Sequence, residues 1–545
     1  MAARFRLCVA LLAVMAALTF LPGLAGVGPI DRDEPRYTQA SKQMVERGDY
    51  VDIRLQEQPR YKKPIGIYWL QALFVEVSGY GADAPLWVYR LVSVLSAALA
   101  VAGTCWAARA FLGPQAALVA GGLLAVTIIV GFEARIAKTD AALLATIVLA
   151  QAALARLWLM EARPRFFGLP FVFWLAVSAS ILVKGPIVLL VTGGTIAALL
   201  FVGPERRAFL TRLTPLRGLA MTVLLVAPWF VAIWLASDGA FYQEAILNDF
   251  LGKAATGQEG HWAPPLAHMF VSVGTAWPLM ALLLISLPSL WVLRREKLVV
   301  FCAAWVLPAW IVFEAVPTKL PHYTLPLVPA LALAVSAVLV EWRRELGPRW
   351  LRILAAVELA AIPVLLMLAS VGLPLVLGDP ISWVGVILSI AGAALGVRAA
   401  LLLAADRSRL TMIGSVAAAS VLLGVAAWGN VLPKLQSVWL SGRVAAAAKA
   451  AADCPDPTLI TVGNHEPSLV FLAGTETRLE HHGGAIHAIS QVACPVLAVD
   501  ESHVDEVLAD ADAAGIVLER RGSERGVNIG NGRSLNMVIY TTKQR

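Results

Sequence analysis

Charged side chains recur in this chain at the ends of long apolar runs. IDRDEPRYTQ, from Ile30 to Gln39, brings Asp33, Glu34, Arg36 and Tyr37 together, and QPRYKKP, from Gln58 to Pro64, adds Lys62 and Lys63. FEARIAKTDAALL sets Glu133, Arg135, Lys138 and Asp140 at another such end. ILNDFLGKAATGQEGHWAPP supplies Asn248, Asp249, Lys253, Glu259 and His261, and VPTKLPHYTLPLVPA supplies Lys319, His322 and Tyr323. Fixed cations and carboxylates at a membrane mouth are the groups that chemistry on a charged substrate needs, and ionisable residues at such depths are functional candidates. Each has a plainer explanation when taken singly: a snorkelling side chain, or a solvated helix from about Pro35 to Arg47 with Asp33 and Glu34 at its N-terminus, where acids favour the dipole. Five such segments in one chain point instead to convergence on one site.

The elements that must position them are membrane helices. Hydrophobic residues make up 59% of the 545, charged residues only 15%, and the mean hydropathy is +0.72, values outside the range of soluble globular chains. Apolar runs long enough to cross the ~30 Å hydrocarbon core recur from Leu7 to about residue 430. They predict about thirteen spans, near 7–29, 84–112, 115–132, 139–160, 166–183, 185–203, 215–236, 266–292, 298–316, 321–341, 350–371, 381–403 and 409–429. Arginines cluster in alternate loops: Arg4 and Arg6, then Arg156 to Arg165, Arg206 to Arg217, Arg294 to Lys297, Arg343 to Arg352, and Arg407 with Arg409. Short cytoplasmic loops collect Lys and Arg, so these face the cytoplasm, and the first loop (30–83), the other charged mouths and everything after residue 430 face outward. The formal charge of +7 is this topology signal and implies no nucleic-acid partner. Residues 1–26 also fit a cleaved signal peptide, with a basic start and small residues at Ala25 and Gly26; the sidedness is the same either way.

Past Pro433 the pattern changes. TLITVG, SLVFLAG, CPVLAVD, GIVLERRG and NMVIYTT are short runs rich in β-branched residues between Gly, Asp and alanine-rich stretches, which predicts a small α/β domain over 431–545 beside a membrane domain over 1–430. It holds Cys454 and Cys494, either a disulfide in an oxidising compartment or two buried thiols. Cys8, Cys105 and Cys302 lie in or near spans without metal-ligand spacing.

DEPRY after the first span, an aromatic-x-K-P element ahead of IYWL, A-R-x-x-x-T-D, and K-L-P-x-Y-x-L-P near the tenth span together resemble the GT-C membrane glycosyltransferases of the family 39 and family 83 type. The resemblance implies an α-helical polytopic GT-C fold and an inverting transfer from a polyprenyl phosphate-linked sugar to lipid A, another glycolipid or a protein. It casts Asp33 as the catalytic aspartate with Asp140 as the second acidic site. Lys63, Tyr323, Arg36 and Lys253 would hold the donor phosphate, Lys253 where an arginine is usual, without the bidentate fork. Glu34, Tyr37, Lys62, Asp249, His261, Lys319 and His322 would surround sugar and acceptor.

Two departures from the family pattern bear on cofactor and substrate. Lys62 stands where many relatives carry a glutamate, and Asn248-Asp249 where they often carry Glu-His. In the family that Glu and His can hold a divalent metal, so a metal there is doubtful, although Asp33, Asp140, Asp249 and His261 are an alternative set on separate loops. A cationic Lys62 would favour a carboxylated sugar over aminoarabinose, or turn toward lipid headgroups. A protein O-mannosyltransferase-like enzyme is the alternative within the class. A transporter should show paired halves and discontinuous helices, and the loops show no repeat; a scaffold leaves the charged loops without a purpose.

Overall fold

The computed structural model describes every residue except 1, 31, 203–205, 253–261 and 543–545. Among the described residues nine helices are long and apolar enough to cross a membrane. Three shorter apolar helices, Pro114–Ala125, Leu169–Lys184 and Leu189–Val202, lie in the remaining apolar runs. The run expected as one span over 266–292 is two helices, Ala267–Thr275 and Leu279–Val292, bent by 115°. The chain is a multi-pass membrane protein with a small C-terminal sheet domain.

The first helices carry most of the site. After α1 (Ala2–Phe20), the first loop folds into α2 (Asp33–Arg47) and α3 (Gly66–Ser78) before α4 (Leu86–Ala108) begins. Asp33 and Glu34 occupy the first turn of α2, and Gly48 ends it at φ 65°, the left-handed stop for which glycine is suited. Then come α5 (Pro114–Ala125), the short α6 (Ile128–Glu133), α7 (Thr139–Leu159) and α8 (Leu169–Lys184). A Cβ on Gly66 would come within 2.7 Å of the Leu182 carbonyl oxygen. That bare backbone lets α3 start against the last turn of α8.

Strands β1 (Arg54–Leu55) and β2 (Gln58–Pro59) form a small hairpin in the first loop. The C-terminal sheet comprises β3 (Thr458–Val462), β4 (Arg478–Glu480), β5 (Pro495–Asp500), β6 (Leu518–Val527) and β7 (Ser534–Thr542) in the order β4-β3-β5-β7-β6. β3 pairs parallel with both β4 and β5, and β7 runs antiparallel between β5 and β6. Alternation along the strands buries Leu459, Val496 and Ile539 on one face and Ile460, Leu497 and Val538 on the other. Cys454 and Cys494, just before β3 and β5, are joined as a disulfide with Cα atoms 6.4 Å apart.

This domain sits on the first loop. Gln39 Nε2 donates to Thr475 Oγ1 at 2.8 Å, Gln56 Nε2 to the Thr475 carbonyl at 2.9 Å, and Thr475 Oγ1 to Glu46 at 2.8 Å. Phe471 meets Tyr89 edge to face at 5.5 Å. The outer side of α2 is therefore held by polar contacts to the C-terminal domain, while its first turn faces the membrane bundle.

Candidate active site

Below the first turn of α2 lies a cavity of about 250 Å³ with a wall of two kinds. Its charged side comprises Asp33, Lys63, Lys138, Asp140, Lys184 and Asp249, with His322 and Tyr323 beside them. Leu143, Ile187, Leu190, Val312 and Phe313 form the apolar side. Tyr37 also lines it, packed against Tyr68 at 5.5 Å, with the Arg60 guanidinium 5.0 Å above its ring. Burial raises the Tyr37 hydroxyl well above its ordinary pKa, so it remains a neutral hydrogen-bond donor.

Each acid deep in the site meets an ammonium group. Lys63 Nζ donates to Asp249 Oδ2 at 2.5 Å, joining the first loop to the segment Gln243–Leu251 across 186 residues of sequence. Lys184 Nζ donates to Asp140 Oδ1 at 2.6 Å, linking the end of α8 to the first turn of α7. Lys138 lies 3.2 Å from Glu133 and 3.9 Å from Asp140, and His322 is 3.8 Å from Glu133 and 3.9 Å from Asp140. Asp33 differs: its side chain is 47% exposed and meets Arg36 only at 3.8 Å. It is the carboxylate least engaged by other side chains in this group and the one nearest solvent.

Of the residues singled out in the sequence, the cavity brings together Asp33, Tyr37, Lys63, Lys138, Asp140, Asp249, His322 and Tyr323. Arg36 stands at its rim through Asp33. Lys253 and His261 lie outside the described residues. Glu34 is a correction: expected beside sugar and acceptor, it is fully buried in a bidentate pair with Arg90, both contacts 2.8 Å. Lys319 does not line the cavity; its ammonium donates to the carbonyls of Ala263 (3.1 Å) and Val316 (2.7 Å) and thereby fastens two loops together. Lys62 does not line the cavity, which removes the geometric support for a direct contact with the sugar. Lys184 was the residue sequence reasoning missed; its signal was a lone lysine inside the apolar run ILVKGPIVLL.

Of the alternative metal set, His261 lies outside the described residues, and the acids that remain on view are engaged by other groups. Asp249, Asp140 and Glu133 are each occupied by a lysine, and among the described residues no three His, Cys, Asp or Glu side chains gather as a metal would require.

A family model described as dolichyl-phosphate-mannose-protein mannosyltransferase matches residues 62–234. The undecaprenyl phosphate-alpha-4-amino-4-deoxy-L-arabinose arabinosyl transferase of Pectobacterium carotovorum is 26% identical over 67% of this chain and 65% of its own length, so the match spans slightly less than two thirds of that relative. Among solved structures, ArnT from Cupriavidus metallidurans in the apo state superposes with a TM-score of 0.74 at 18% identity, covering 98% of this chain and 97% of its own. The same protein bound to undecaprenyl phosphate gives 0.72 at 18% identity over the same shares. The fold is shared from end to end, C-terminal domain included.

Proposed function

From the premise that this chain has the GT-C fold of membrane glycosyltransferases, we propose that it moves a sugar from a polyprenyl phosphate carrier to lipid A or another envelope glycolipid, with inversion. The observation that carries this reading is the divided cavity wall. A polyprenyl phosphate has an anionic head on a long apolar tail, and the cavity offers Lys63, Lys138 and Lys184 on one side and Leu143, Ile187, Leu190 and Val312 on the other. The resemblance to the undecaprenyl phosphate-alpha-4-amino-4-deoxy-L-arabinose arabinosyl transferase of Pectobacterium carotovorum supports the same substrate class. The clustered arginines of alternate loops support placing this chemistry on the periplasmic side of a bacterial inner membrane.

The reaction breaks the bond between the anomeric carbon and the carrier phosphate oxygen, which keeps the electron pair, while the acceptor oxygen bonds from the opposite face. Lys63, with the neighbouring lysines, binds the phosphate and stabilises the charge it gains as it leaves, an electrostatic contribution strongest where water is excluded. Asp33, loosely held and near solvent, takes the proton of a hydroxyl acceptor. Toward a phosphate acceptor, already ionised, it orients the acceptor and offsets positive charge at the anomeric carbon. Asp140, held by Lys184, fixes the lysine array.

The test uses membranes containing the chain and a sugar-labelled polyprenyl phosphate donor, with release of free polyprenyl phosphate as readout. Release that depends on Lys63 supports transfer. No release from aminoarabinose, uronic acid or hexose donors in the presence of lipid A overturns it.

A further inference from the structure

Arg135 belongs to the same A-R-x-x-x-T-D stretch as Lys138 and Asp140, yet it lines a different cavity, of about 120 Å³. This second cavity lies between the end of α1, the junction of α5 and α6, Trp277 and the helices Arg349–Leu377 and Arg409–Ala426. Arg135 is only 4% exposed. Its guanidinium donates to the carbonyls of Pro22 (3.2 Å), Gly131 (2.6 Å) and Thr19 (2.5 Å), and lies 5.6 Å from the Phe20 ring and 5.3 Å from the Trp428 ring. A cation is well placed at the C-terminal ends of α1 and α6, but these partners are dipoles and ring faces without charge. Among the described residues no carboxylate acts on Arg135. Three of its five N–H donors have protein acceptors, and two remain.

A second donor lines the same space. Trp277 is fully buried, and its Nε1–H has no acceptor among the described residues. The cavity's hydroxyls add no counter-charge: Thr19, Thr127 and Ser420 donate to the carbonyls of Ala16, Leu123 and Val126. A buried cation and an unused N–H, with no acid paired to either among the described residues, suit an anion, because buried charges are paired and buried donors bonded. The rest of the wall is apolar, and Leu366 on it is 39% exposed on the outside of the bundle. Thr19 and Phe20 end α1 on the side of the bundle that leads into the first loop, the level at which lipid headgroups sit.

We propose that this cavity holds the phosphate of an anionic membrane lipid, taking hydrogen bonds from Arg135 and Trp277 while its chains run over the apolar wall. The inference is independent of the sugar-transfer reading. Residues 134–138 connect the two cavities, so an anion bound here steadies the turn that delivers Lys138 and Asp140 to the first.

Native mass spectrometry of the full-length protein in detergent, titrated separately with dioleoylphosphatidylglycerol, dioleoylphosphatidylcholine and inorganic phosphate, tests this. The wild type should retain one phosphatidylglycerol through activation that strips phosphatidylcholine. Arg135→Gln, which keeps N–H donors for the carbonyls but removes the charge, should lose it. Trp277→Phe, which removes only the N–H from a buried ring, should weaken retention about tenfold and decides the matter should Arg135→Gln not fold. Equal retention by Trp277→Phe and wild type, or no preference for the anionic lipid, overturns the proposal. Inorganic phosphate bound in a Trp277-dependent manner, without lipid retention, overturns its assignment to a lipid.

Discussion

Asp33 and Glu34 are adjacent in sequence and open the same helix, but they belong to two different regions of charge. Glu34 lies in a closed knot. One carboxylate oxygen accepts from Arg90 Nε and the Ala137 N–H, the other from Arg90 Nη2 and the Ile30 N–H. Arg90 spends its remaining donors on the carbonyls of Leu24, Val27 and Gly28, so all five N–H groups are used. Asp33 faces the cavity with one loose contact to Arg36. The difference separates charge that builds the protein from charge available to a substrate. A saturated buried pair ties the segment after α1, α2, α4 and the turn at Ala137 together, whereas acids and bases that border an open space can rearrange around a ligand.

The largest effect should come from breaking the knot. Both oxygens of Glu34 accept a backbone N–H, so Glu34→Gln sets its amide N–H₂ against a donor whichever way it turns and leaves Arg90 without a counter-charge. Breaking one side of a buried pair costs about 3–5 kcal/mol, a large share of a domain's stability. Loss of monodisperse protein, or a large drop in thermal midpoint in detergent, is expected. A variant that melts like the wild type would show that the pair is not the structural node described here.

Next in size is Asp33→Asn. It deletes the negative charge while keeping shape and most hydrogen bonding, so folding and donor affinity should hold while single-turnover transfer to a hydroxyl acceptor falls by about 10²–10⁴. Lys63→Ala should fail differently. It removes a cation that meets the phosphate before and during reaction, so donor affinity falls about ten- to a hundredfold and turnover falls with it. Lys62→Ala, outside the cavity wall, should leave donor affinity within about twofold. Equal losses at Lys62 and Lys63 would mean that the cavity boundary described here does not separate the two lysines in function.

The same contrast explains what could be read in advance. Hydropathy marks apolar runs well because the bilayer imposes a length on them, but it carries no direction, so the 115° bend within 266–292 was invisible. The charged segments were legible because charge at a span end is unusual, and each of the five has a residue at the cavity: Asp33, Lys63, Asp140, Asp249 and Tyr323. Asp33 was marked by the family resemblance, but that Glu34 would turn away from the cavity was not legible. That choice depends on Arg90, 56 residues further on and inside a span. The partners of Lys319 were hidden for a similar reason: its type and place suggested a ligand contact, and its acceptors on view are backbone carbonyls whose location no sequence pattern marks.

The smallest effect concerns a third kind of charge, on the surface of the C-terminal domain. His482 Nδ1 lies 3.1 Å from Asp510 Oδ2, with both side chains roughly half exposed. The pair is neither saturated nor beside a cavity. The hydrogen bond to Asp510 raises the His482 pKa above its ordinary value, because the carboxylate favours the protonated ring. A group whose folded pKa lies above its unfolded one stabilises the fold fully at pH values below the unfolded pKa, and that contribution fades as pH rises through the folded value. Mildly acidic buffer should therefore make the domain slightly more stable relative to an Asp510→Asn variant, and the gap should close toward alkaline pH. Salt should shrink it as well, because exposed pairs are screened. Thermal midpoints of the two proteins, compared across pH 5 to 9 at low and high ionic strength, measure it. A gap that grows with pH, or one as large as that caused by Glu34→Gln, would erase the distinction between exposed and saturated charge on which the comparison rests.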